Sequence, residues 1–469
     1  MAVKKLNRCP GPMTRRSFLS AGSAGIGGLG LGSLLNRKAQ ATNSGPNDTA
    51  CIFVWLPGGP PHMEMYDMKP DAPSDYRGDF HPIKTNIAGI DVCELLPRHA
   101  KIADKFTLIR SVHHTFSDHG GGHKRFMTGR APKQPTGFVN DYPACGSMLC
   151  KDLDRQRRAA LNYVLMTDQG RHNIDVYSLG TAYLNTAYSP FTVAGDPSQP
   201  KFEIQNLALS GKAENRLADR HTLLQGLDRL RHDVDSSGMI GALDTINQNA
   251  VNLLTGNAIR QAFDLGEEPA SIKERYGHHA WGYRALMARR LVEAGCPFVT
   301  VVLENPYVSG VPFLKEGTYN WDSHAVNCDI FKDARVRFPI YDQTVTALIE
   351  DLYARGLDKR VLLVVTGEFG RTPRLASRRG TQTKSLQPGR DHWPQAMSLL
   401  VSGGGLQMGQ VIGSTNARGE EPKDRPLSPN DLWATIFRHL NVDPHQNLLD
   451  HRGRPMPMLP YGSPIRELI

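Results

Sequence analysis

The sequence predicts an α/β fold, a doubly wound and mainly parallel sheet flanked by helices. Two observations lead to this prediction. Apolar runs of strand length recur along the 469 residues, and amphipathic helical patterns separate several of them. Strands that are apolar on both faces need helices on both sides of their sheet, and strands that alternate with helices are typically parallel. The 40% hydrophobic and 22% charged residues are ordinary for a globular protein.

Six segments have the length and the apolar composition of buried strands. They are 51–56, 106–110, 161–166, 298–303, 361–366 and 397–402. Helical patterns at 281–294 and 331–355 run up to Gly295 and Gly356, and glycine is common just beyond the end of a helix. These elements carry the predicted sheet and part of its helical cover.

The first residues of the chain have the order of an export signal. A basic start leads into Arg15 and Arg16, a Gly- and Ala-rich apolar stretch at 18–35, and an Ala-x-Ala site that ends at Ala41. Paired arginines before Phe-Leu and a glycine-diluted core resemble a twin-arginine signal peptide. We expect cleavage after Ala41 and export by the twin-arginine machinery to the periplasm or beyond. The alternative is an uncleaved anchor, because 18–35 is about one bilayer span long.

The net charge of +9 comes mostly from this leader, since residues 1–41 hold seven basic residues and no acid. Removing these seven charges leaves a mature chain near +2. The charge therefore gives no support for nucleic-acid binding. We expect residues 42–469 to form a single domain, with a helical insertion at about 205–265, and no membrane span after cleavage.

Six cysteines remain after the leader, at positions 51, 93, 145, 150, 296 and 328. None forms the CxxC spacing of a zinc ribbon or a thioredoxin-type site. Cys145 and Cys150 could close a short loop, but spacing alone does not fix a disulfide pairing.

Polar residues gather where the predicted strands end. The segments are 57–64, 111–123, 321–324, 367–373 and 389–393. In an open parallel sheet, ligands bind beyond the carboxyl ends of the strands. Imidazole and carboxylate are natural ligands of Zn, Mn or Fe, and two such ions can clamp an ester oxyanion. The alternative is that the histidines bond loop backbones and the acids pair with arginines 130, 371 and 390.

Some residues support the prediction of a metal site more strongly than others. Glu368 lies at the tip of a buried strand, where a carboxylate is costly unless a metal ion or Arg371 meets it. Asp391 and His392 are adjacent, so in extended backbone they point in opposite directions and reach one site only from a turned loop. The same limit applies to His113 with His114 and to Asp118 with His119. One ligand from each such pair is the simpler expectation.

The loop after the 106–110 strand also offers other chemistry. Thr115 and Ser117 are its hydroxyl nucleophiles, and Gly120 to Gly122 either allow close backbone approach to a ligand or form a plain flexible loop. The planar guanidinium of Arg371 could hold an anionic substrate.

Taken together, these motifs resemble one known family. They are the paired-arginine leader, the Leu-Pro-Gly-Gly-Pro at 56–60, the His-His-Thr at 113–115, the Asp-His-Gly-Gly at 118–121, the Trp-Asp-Ser-His at 321–324, the Glu-Phe-Gly-Arg-Thr-Pro at 368–373 and the Asp-His-Trp-Pro at 391–394. The set resembles the family of unknown function numbered 1501 over about 50–465. That resemblance implies a sulfatase-like protein of the alkaline-phosphatase-like superfamily, whose α/β enzymes hydrolyse phosphate or sulfate esters at a two-metal site.

The resemblance also implies roles for particular residues. Asp322 and His324 become ligands of one ion, Glu368 takes the place of a strand-end aspartate, and His392 or Asp391 takes that of a late histidine. The chain departs from the superfamily pattern at 57–59, where Pro-Gly-Gly replaces a metal-binding aspartate, so that ligand is missing or displaced to Glu64 or Asp67. The sulfatase motif Cys/Ser-x-Pro-x-Arg is absent from the sequence, which argues against a formylglycine sulfatase.

The sequence therefore predicts an exported, metal-dependent hydrolase of phosphate or sulfate esters, including those of polysaccharides. The expected cofactor is one or two divalent ions, Zn, Mn or Ca, held by Asp322, His324, Glu368, Asp391 and His392. His114, Asp118 and His119 would complete the site or move protons, and Arg371 would hold the substrate anion. The expected nucleophile is a hydroxide generated at the metal site, and the alternative is the hydroxyl of Thr115 or Ser117. Two alternatives stay open: a non-catalytic exported scaffold or binding protein with the same fold, and a transferase or mutase acting on phosphorylated sugars.

Overall fold

A computed structural model describes residues 48–469, except 157, 160, 171–177, 205–256 and 308–310. Residues Asn47–Ile469 make one compact unit. The predicted signal peptide and most of the predicted insertion at 205–265 lie outside the described residues. The predicted domain division therefore stays a prediction.

Strands and helices follow one another along the whole described part of the chain. The first are β1 (Ala50–Trp55), α1 (His62–Met65), α2 (Ser74–Arg77), β2 (Pro82–Lys84), β3 (Asp91–Cys93), α3 (Pro97–Lys101), β4 (Phe106–Val112), α4 (His119–Thr128), α5 (Cys145–Arg155), β5 (Tyr163–Thr167) and β6 (Phe191–Ala194). Next come α6 (Asn257–Phe263), α7 (Ala270–Tyr276), α8 (Ala280–Glu293), β7 (Phe298–Val302), α9 (Ile330–Ala354), β8 (Val361–Thr366), β9 (Gly370–Arg371), β10 (Ala376–Arg379), β11 (Leu386–Gly389) and β12 (His392–Trp393). The last are β13 (Met397–Gly403), β14 (Val411–Ile412), β15 (Ser414–Thr415), β16 (Pro422–Asp424), α10 (Pro429–His439), β17 (Asn447–Leu449) and β18 (Pro455–Pro457).

Eight strands form the central sheet, in the order β14-β4-β13-β8-β1-β7-β5-β6. β1 pairs parallel with β7 and β8, β5 pairs parallel with β6 and β7, and β14 pairs parallel with β4. Only β13 runs against its neighbours within this sheet, antiparallel to β4 and β8. The predicted mainly parallel sheet is confirmed. A parallel pair of strands needs a crossover connection, which is usually a helix. The chain between β8 and β13 contains only short strands, so β13 returns antiparallel to β8.

Helices cover both faces of the sheet, as the apolar strands require. The side chains of β1 alternate between two hydrophobic clusters. Ile52 and Val54 pack in the cluster that contains the buried faces of α8 and α9. Phe53 and Trp55 pack in the other cluster, with α4, α5 and α10. The core thus lies in two layers, one on each side of the sheet.

The six predicted strands and the two helices predicted at 281–294 and 331–355 are present, each within two residues of its predicted ends. Gly295 and Gly356 both have positive φ angles, +97° and +67°, which explains why glycine follows α8 and α9. Among the described helices, none combines the length and the apolar composition needed to cross a bilayer.

The six cysteines after the leader are all buried and free. Cys145 and Cys150 both lie on α5, five positions apart, so their side chains leave the helix in different directions. The short disulfide considered from the sequence is therefore not formed.

Candidate metal centre

Five loops meet at one edge of the sheet. β1, β4, β7 and β8 run in one direction, so the loops that follow them leave from the same edge, and the loop before antiparallel β13 arrives there. These loops supply His119, the first residue of α4, Asp322 and His324, which precede α9, and His392 in β12. One nitrogen or oxygen atom of each lies within 4.8 Å of those of the other three. We call these four residues the metal cluster.

The atoms of the metal cluster are in direct contact. His324 Nε2 is 2.9 Å from His392 Nε2. Asp322 Oδ1 is 3.0 Å from His324 Nε2 and 3.1 Å from His392 Nε2. His119 Nε2 lies 3.3 Å from Asp322 Oδ2. Three imidazoles and a carboxylate are a donor set that suits Zn, Mn or Fe.

The two facing imidazoles are each held from behind by an oxygen atom. His324 Nδ1 is 2.6 Å from Asp391 Oδ1, and His392 Nδ1 is 2.6 Å from the carbonyl oxygen of Ser117. Both oxygens are acceptors, so each Nδ1 donates its proton and a neutral ring carries only a lone pair at Nε2. Burial lowers the pKa of His392, which favours the neutral ring. Two lone pairs at 2.9 Å repel unless a proton or a cation lies between them, so these residues fit a metal ion.

Asp322 contacts every other member of the metal cluster and a buried arginine as well. Arg371 Nη2 lies 2.7 Å from Asp322 Oδ1. Burial alone would raise the pKa of Asp322, but the charge of Arg371 and the hydrogen bonds of the histidines hold it well below its usual range. Arg371 also donates its Nε to Gly59 O and its Nη1 to Arg390 O. This geometry supports a role for Arg371 in orienting Asp322.

Glu368 adjoins the metal cluster on the side of His119. Its Oε1 is 3.0 Å from His119 Nδ1 and accepts a hydrogen bond of 2.8 Å from Gly58 N. Burial would raise the pKa of Glu368, but the hydrogen bond and charge of His119 lower it to about 2. Burial would lower the pKa of His119, but Asp322 and Glu368 raise it to about 9. The second oxygen, Oε2, is buried and has no hydrogen-bond partner among the described residues.

The glycine at the end of β1 lets the cluster assemble. Gly58 has a φ of +107°, and a Cβ atom built there would lie 2.6 Å from the backbone nitrogen of Asp322. Trp321 N also donates to Pro57 O at 2.8 Å. A residue with a side chain would push the Asp322 loop away from the strand. The Pro-Gly-Gly segment at 57–59 thus gives close backbone approach where the resemblance led us to expect a metal-binding aspartate.

The structure separates the residues predicted after β4. Asp118 caps α4, because its side chain accepts from Gly120 N and Gly121 N. His114 is buried, lies with its Nε2 2.6 Å from Glu368 O, and accepts from Phe116 N. Burial lowers the pKa of His114 to about 4, so it is neutral at pH 7. The hydroxyl-bearing Thr115 and Ser117 are exposed. Of the loop's predicted residues, His119 is the one that the structure places in the metal cluster.

The remaining predicted ligands lie outside the metal cluster. Asp391 stands behind His324 and is 40% exposed. Glu64 is buried and paired with Arg390 at 2.6 Å. Asp67 accepts a hydrogen bond from Thr415 and pairs with Lys69 at 2.9 Å. Neither Glu64 nor Asp67 therefore takes the place of the metal ligand expected at the end of β1.

Sequence reasoning missed the backbone groups of this site. The carbonyl of Ser117 and the amide of Gly58 hold His392 and Glu368, and a backbone group carries no sequence signal. It also missed Arg378, whose Nη2 lies 3.8 Å from Asp391 Oδ2. The sequence did indicate positive charge near Arg378, because residues 372–390 include five basic residues and no acidic one.

Comparisons with known proteins gave one family and several distant folds. Residues 48–469 match the family model described as "Protein of unknown function (DUF1501)". No curated protein matches the chain. Among solved structures, one similar chain is the PsFucS1 sulfatase from Pseudoalteromonas sp., at 10% identity and a TM-score of 0.33, with 87% of this chain and 70% of that chain covered.

Two further structures are similar at the same level. The alkaline phosphatase from the Antarctic bacterium TAB5 has 9% identity and a TM-score of 0.35, with 84% of this chain and 98% of that chain covered. Ps i-CgsB in complex with k-i-k-neocarrahexaose has 12% identity and a TM-score of 0.36, with 84% and 72% covered. Such scores are too low to transfer an activity, so the function has to be argued from the residues of the site.

Proposed function

We propose that this chain, which belongs to the DUF1501 family as its match over residues 48–469 shows, is a metal-dependent hydrolase of phosphate or sulfate esters. One observation carries this proposal: the imidazoles of His324 and His392 face each other through Nε2 at 2.9 Å, beside the carboxylate of Asp322. Positive charge between the two Nε2 lone pairs lowers their repulsion, and a divalent cation supplies that positive charge. Of the expected ions Zn, Mn and Ca, in one or two copies, Zn and Mn fit the three imidazoles, because Ca prefers oxygen ligands.

The residues of this site have two kinds of role: some would hold the ion, and others orient those ligands. Asp322, His324 and His392 hold the ion together with His119, and an ion there would polarise an ester oxygen. Asp391 and the Ser117 carbonyl fix the tautomers and the orientation of the two facing rings.

Arg371 keeps Asp322 ionised, and Glu368 accepts the Nδ1 proton of His119, which leaves the Nε2 lone pair of that ring for the ion. The hydroxyls of Thr115 and Ser117, which are exposed in the loop between β4 and α4, stay candidate nucleophiles.

The test begins with the metal content of protein purified without added metal. Elemental analysis should find close to one or two divalent ions per chain, and a chelator should remove them together with turnover of an aryl phosphate or an aryl sulfate. His392→Gln should lose the ion and lower turnover at least about a hundredfold, because it removes a ligand. Glu368→Gln should lower turnover as well.

The control for these variants is His278→Gln, which changes an exposed histidine paired only with Glu274 and Tyr283 among the described contacts. It should keep the metal and the turnover of the wild type. Retention of the ion by His392→Gln would remove the basis of the proposal.

One observation favours a second candidate, a non-catalytic scaffold or binding protein. Within the described residues, a single group of four side chains has the spacing of a metal site, and the aspartate expected at the end of β1 is replaced by Gly58. A chain that binds one ion but turns over neither an aryl phosphate nor an aryl sulfate would support this candidate.

Export through the twin-arginine pathway is part of the same proposal. Paired arginines at 15 and 16 and the Ala-x-Ala site at 39–41 support it. Replacement of Arg15 and Arg16 by lysine should retain the chain in the cytoplasm, as fractionation and immunoblotting would show. Unchanged export of that variant would contradict the twin-arginine assignment.

A further inference from the structure

The hairpin formed by β10 and β11 packs against the loop that carries His324 of the metal cluster. Gly389 at its end lies against the next loop so closely that a Cβ atom would be 2.1 Å from Ala325 N. Gln387 donates its Nε2 to Ala325 O at 2.8 Å, and Thr381 N donates to Val326 O at 2.8 Å. Ala325 follows the cluster residue His324. The hairpin is therefore held in a fixed position beside the site.

This hairpin carries positive charge on two different faces. Its register pairs Arg378 with Gln387 and Arg379 with Leu386. Directly opposed residues share a face, so Arg378 lies on the face of buried Gln387, and Arg379 lies on the face of Leu386, which is 76% exposed. Successive arginines of one strand thus point towards the site and away from it.

Arg378 reaches the metal cluster through a single carboxylate. Its Nη2 lies 3.8 Å from Asp391 Oδ2, and Asp391 Oδ1 is 2.6 Å from His324 Nδ1. At 3.8 Å the guanidinium forms no hydrogen bond with Asp391, and its side chain is 59% exposed. Arg371, in contrast, is fully buried against Asp322. Arg378 is therefore better placed than Arg371 to receive an anion from solvent.

We propose that Arg378 forms a subsite for a second anionic group, next to the ester that is bound at the metal cluster. This inference rests on the proposed function and names its substrate class: a molecule that carries several sulfate or phosphate groups. His324 and Asp391 separate Arg378 from the face of the cluster, so one ester group cannot contact both places at once. A planar guanidinium binds such oxyanions with two parallel hydrogen bonds. The net charge of residues 42–469 is near +2, which is not the strongly basic balance typical of nucleic-acid-binding domains.

The experiment measures binding of fluorescent dextran sulfate to the full chain at low and at high salt. Arg378→Gln should weaken binding about tenfold, and Arg378→Lys should weaken it less. The matched control is Arg379→Gln, which removes the same charge from the opposite face of the same strand and should weaken binding less than about twofold. Metal content is measured for every variant.

Several results would overturn the subsite. Equal weakening by Arg378→Gln and Arg379→Gln would show diffuse electrostatics instead of a subsite. Loss of the metal ion in Arg378→Gln would show that Arg378 acts through Asp391. Binding of duplex DNA as tight as that of dextran sulfate would show an unselective polyanion surface.

Failure of the proposed function would look different. The wild type would then turn over neither aryl ester, while the binding contrast between the two arginine variants would persist. If the proposed function holds, Arg378→Gln should also lower kcat/KM about tenfold more for a multiply sulfated oligosaccharide than for an aryl sulfate.

Discussion

Two histidine–aspartate pairs in this protein have the same short contact and opposite surroundings. His99 Nδ1 is 2.6 Å from Asp342 Oδ1, and His324 Nδ1 is 2.6 Å from Asp391 Oδ1. The other nitrogen of His99 meets the hydroxyl of Tyr66 at 3.2 Å, and that hydroxyl meets Tyr341 at 2.8 Å. The other nitrogen of His324 meets only acceptors, among them His392 Nε2.

The difference lies in what faces the second ring nitrogen. A tyrosine hydroxyl can donate to the lone pair of His99, so that network is complete without a ligand. His392 cannot donate to His324 while its own proton is held by Ser117 O. A histidine–carboxylate pair is therefore structural when the second ring nitrogen has a donor, and the histidine is a candidate metal ligand when that nitrogen faces another lone pair.

The largest effect that distinguishes the two regions is expected at Asp342. Its carboxylate accepts from Arg98 N, His99 N and the His99 ring within the core. Asp342→Asn should lower the free energy of unfolding by about 3 kcal/mol, because it leaves buried donors unpaired. Urea denaturation measures this loss. Metal content should stay that of the wild type, and a loss of metal would show that the two regions are coupled.

The reciprocal change at Asp391 should act on metal binding instead. Asp391→Asn weakens the acceptor that orients His324, and such changes typically lower metal affinity about 10- to 100-fold. Asp391 is 40% exposed, so the free energy of unfolding of the metal-free chain should fall by less than about 1 kcal/mol. Competition with a chelating dye measures the affinity. Wild-type affinity in this variant would contradict the orienting role.

A smaller effect is expected in the pH dependence of stability. It concerns buried histidines outside the His99–Asp342 and His324–Asp391 pairs, which burial keeps neutral. Burial lowers the pKa of His62 and that of His279 to about 4. Between pH 6.5 and 4 the unfolded chain takes up protons that the folded chain does not, so stability is lost as the pH falls. Each histidine adds a slope of at most about 1.4 kcal/mol per pH unit.

Urea denaturation of the metal-free protein at several pH values between 7 and 5 measures this slope. His62→Gln should reduce it if the variant folds, and His279→Gln provides a second, independent measurement. A slope unchanged in both variants would show that other groups control the acid sensitivity.

The sequence predicted the sheet well and the partners within the site poorly. The strand at 361–366 was predicted with its observed bounds, because its five apolar residues and Thr366 are all buried in place. The reversed direction of β13 was not predicted, since an apolar run reads the same in either direction. The pairing of Arg371 with Asp322 was not predicted either, because the sequence suggested Glu368 as its partner and substrate binding as its role.

The sequence by itself determined the fold class, the family and the kinds of side chain that reach one edge of the sheet, because apolar periodicity and residue type are local properties. Only the tertiary structure decided which of those side chains meet. That choice depends on backbone groups such as Ser117 O, on the close approach that Gly58 allows, and on the hairpin register that turns Arg378 towards the site and Arg379 away. Such contacts join residues that are far apart along the chain, and their geometry is fixed only when the loops pack together.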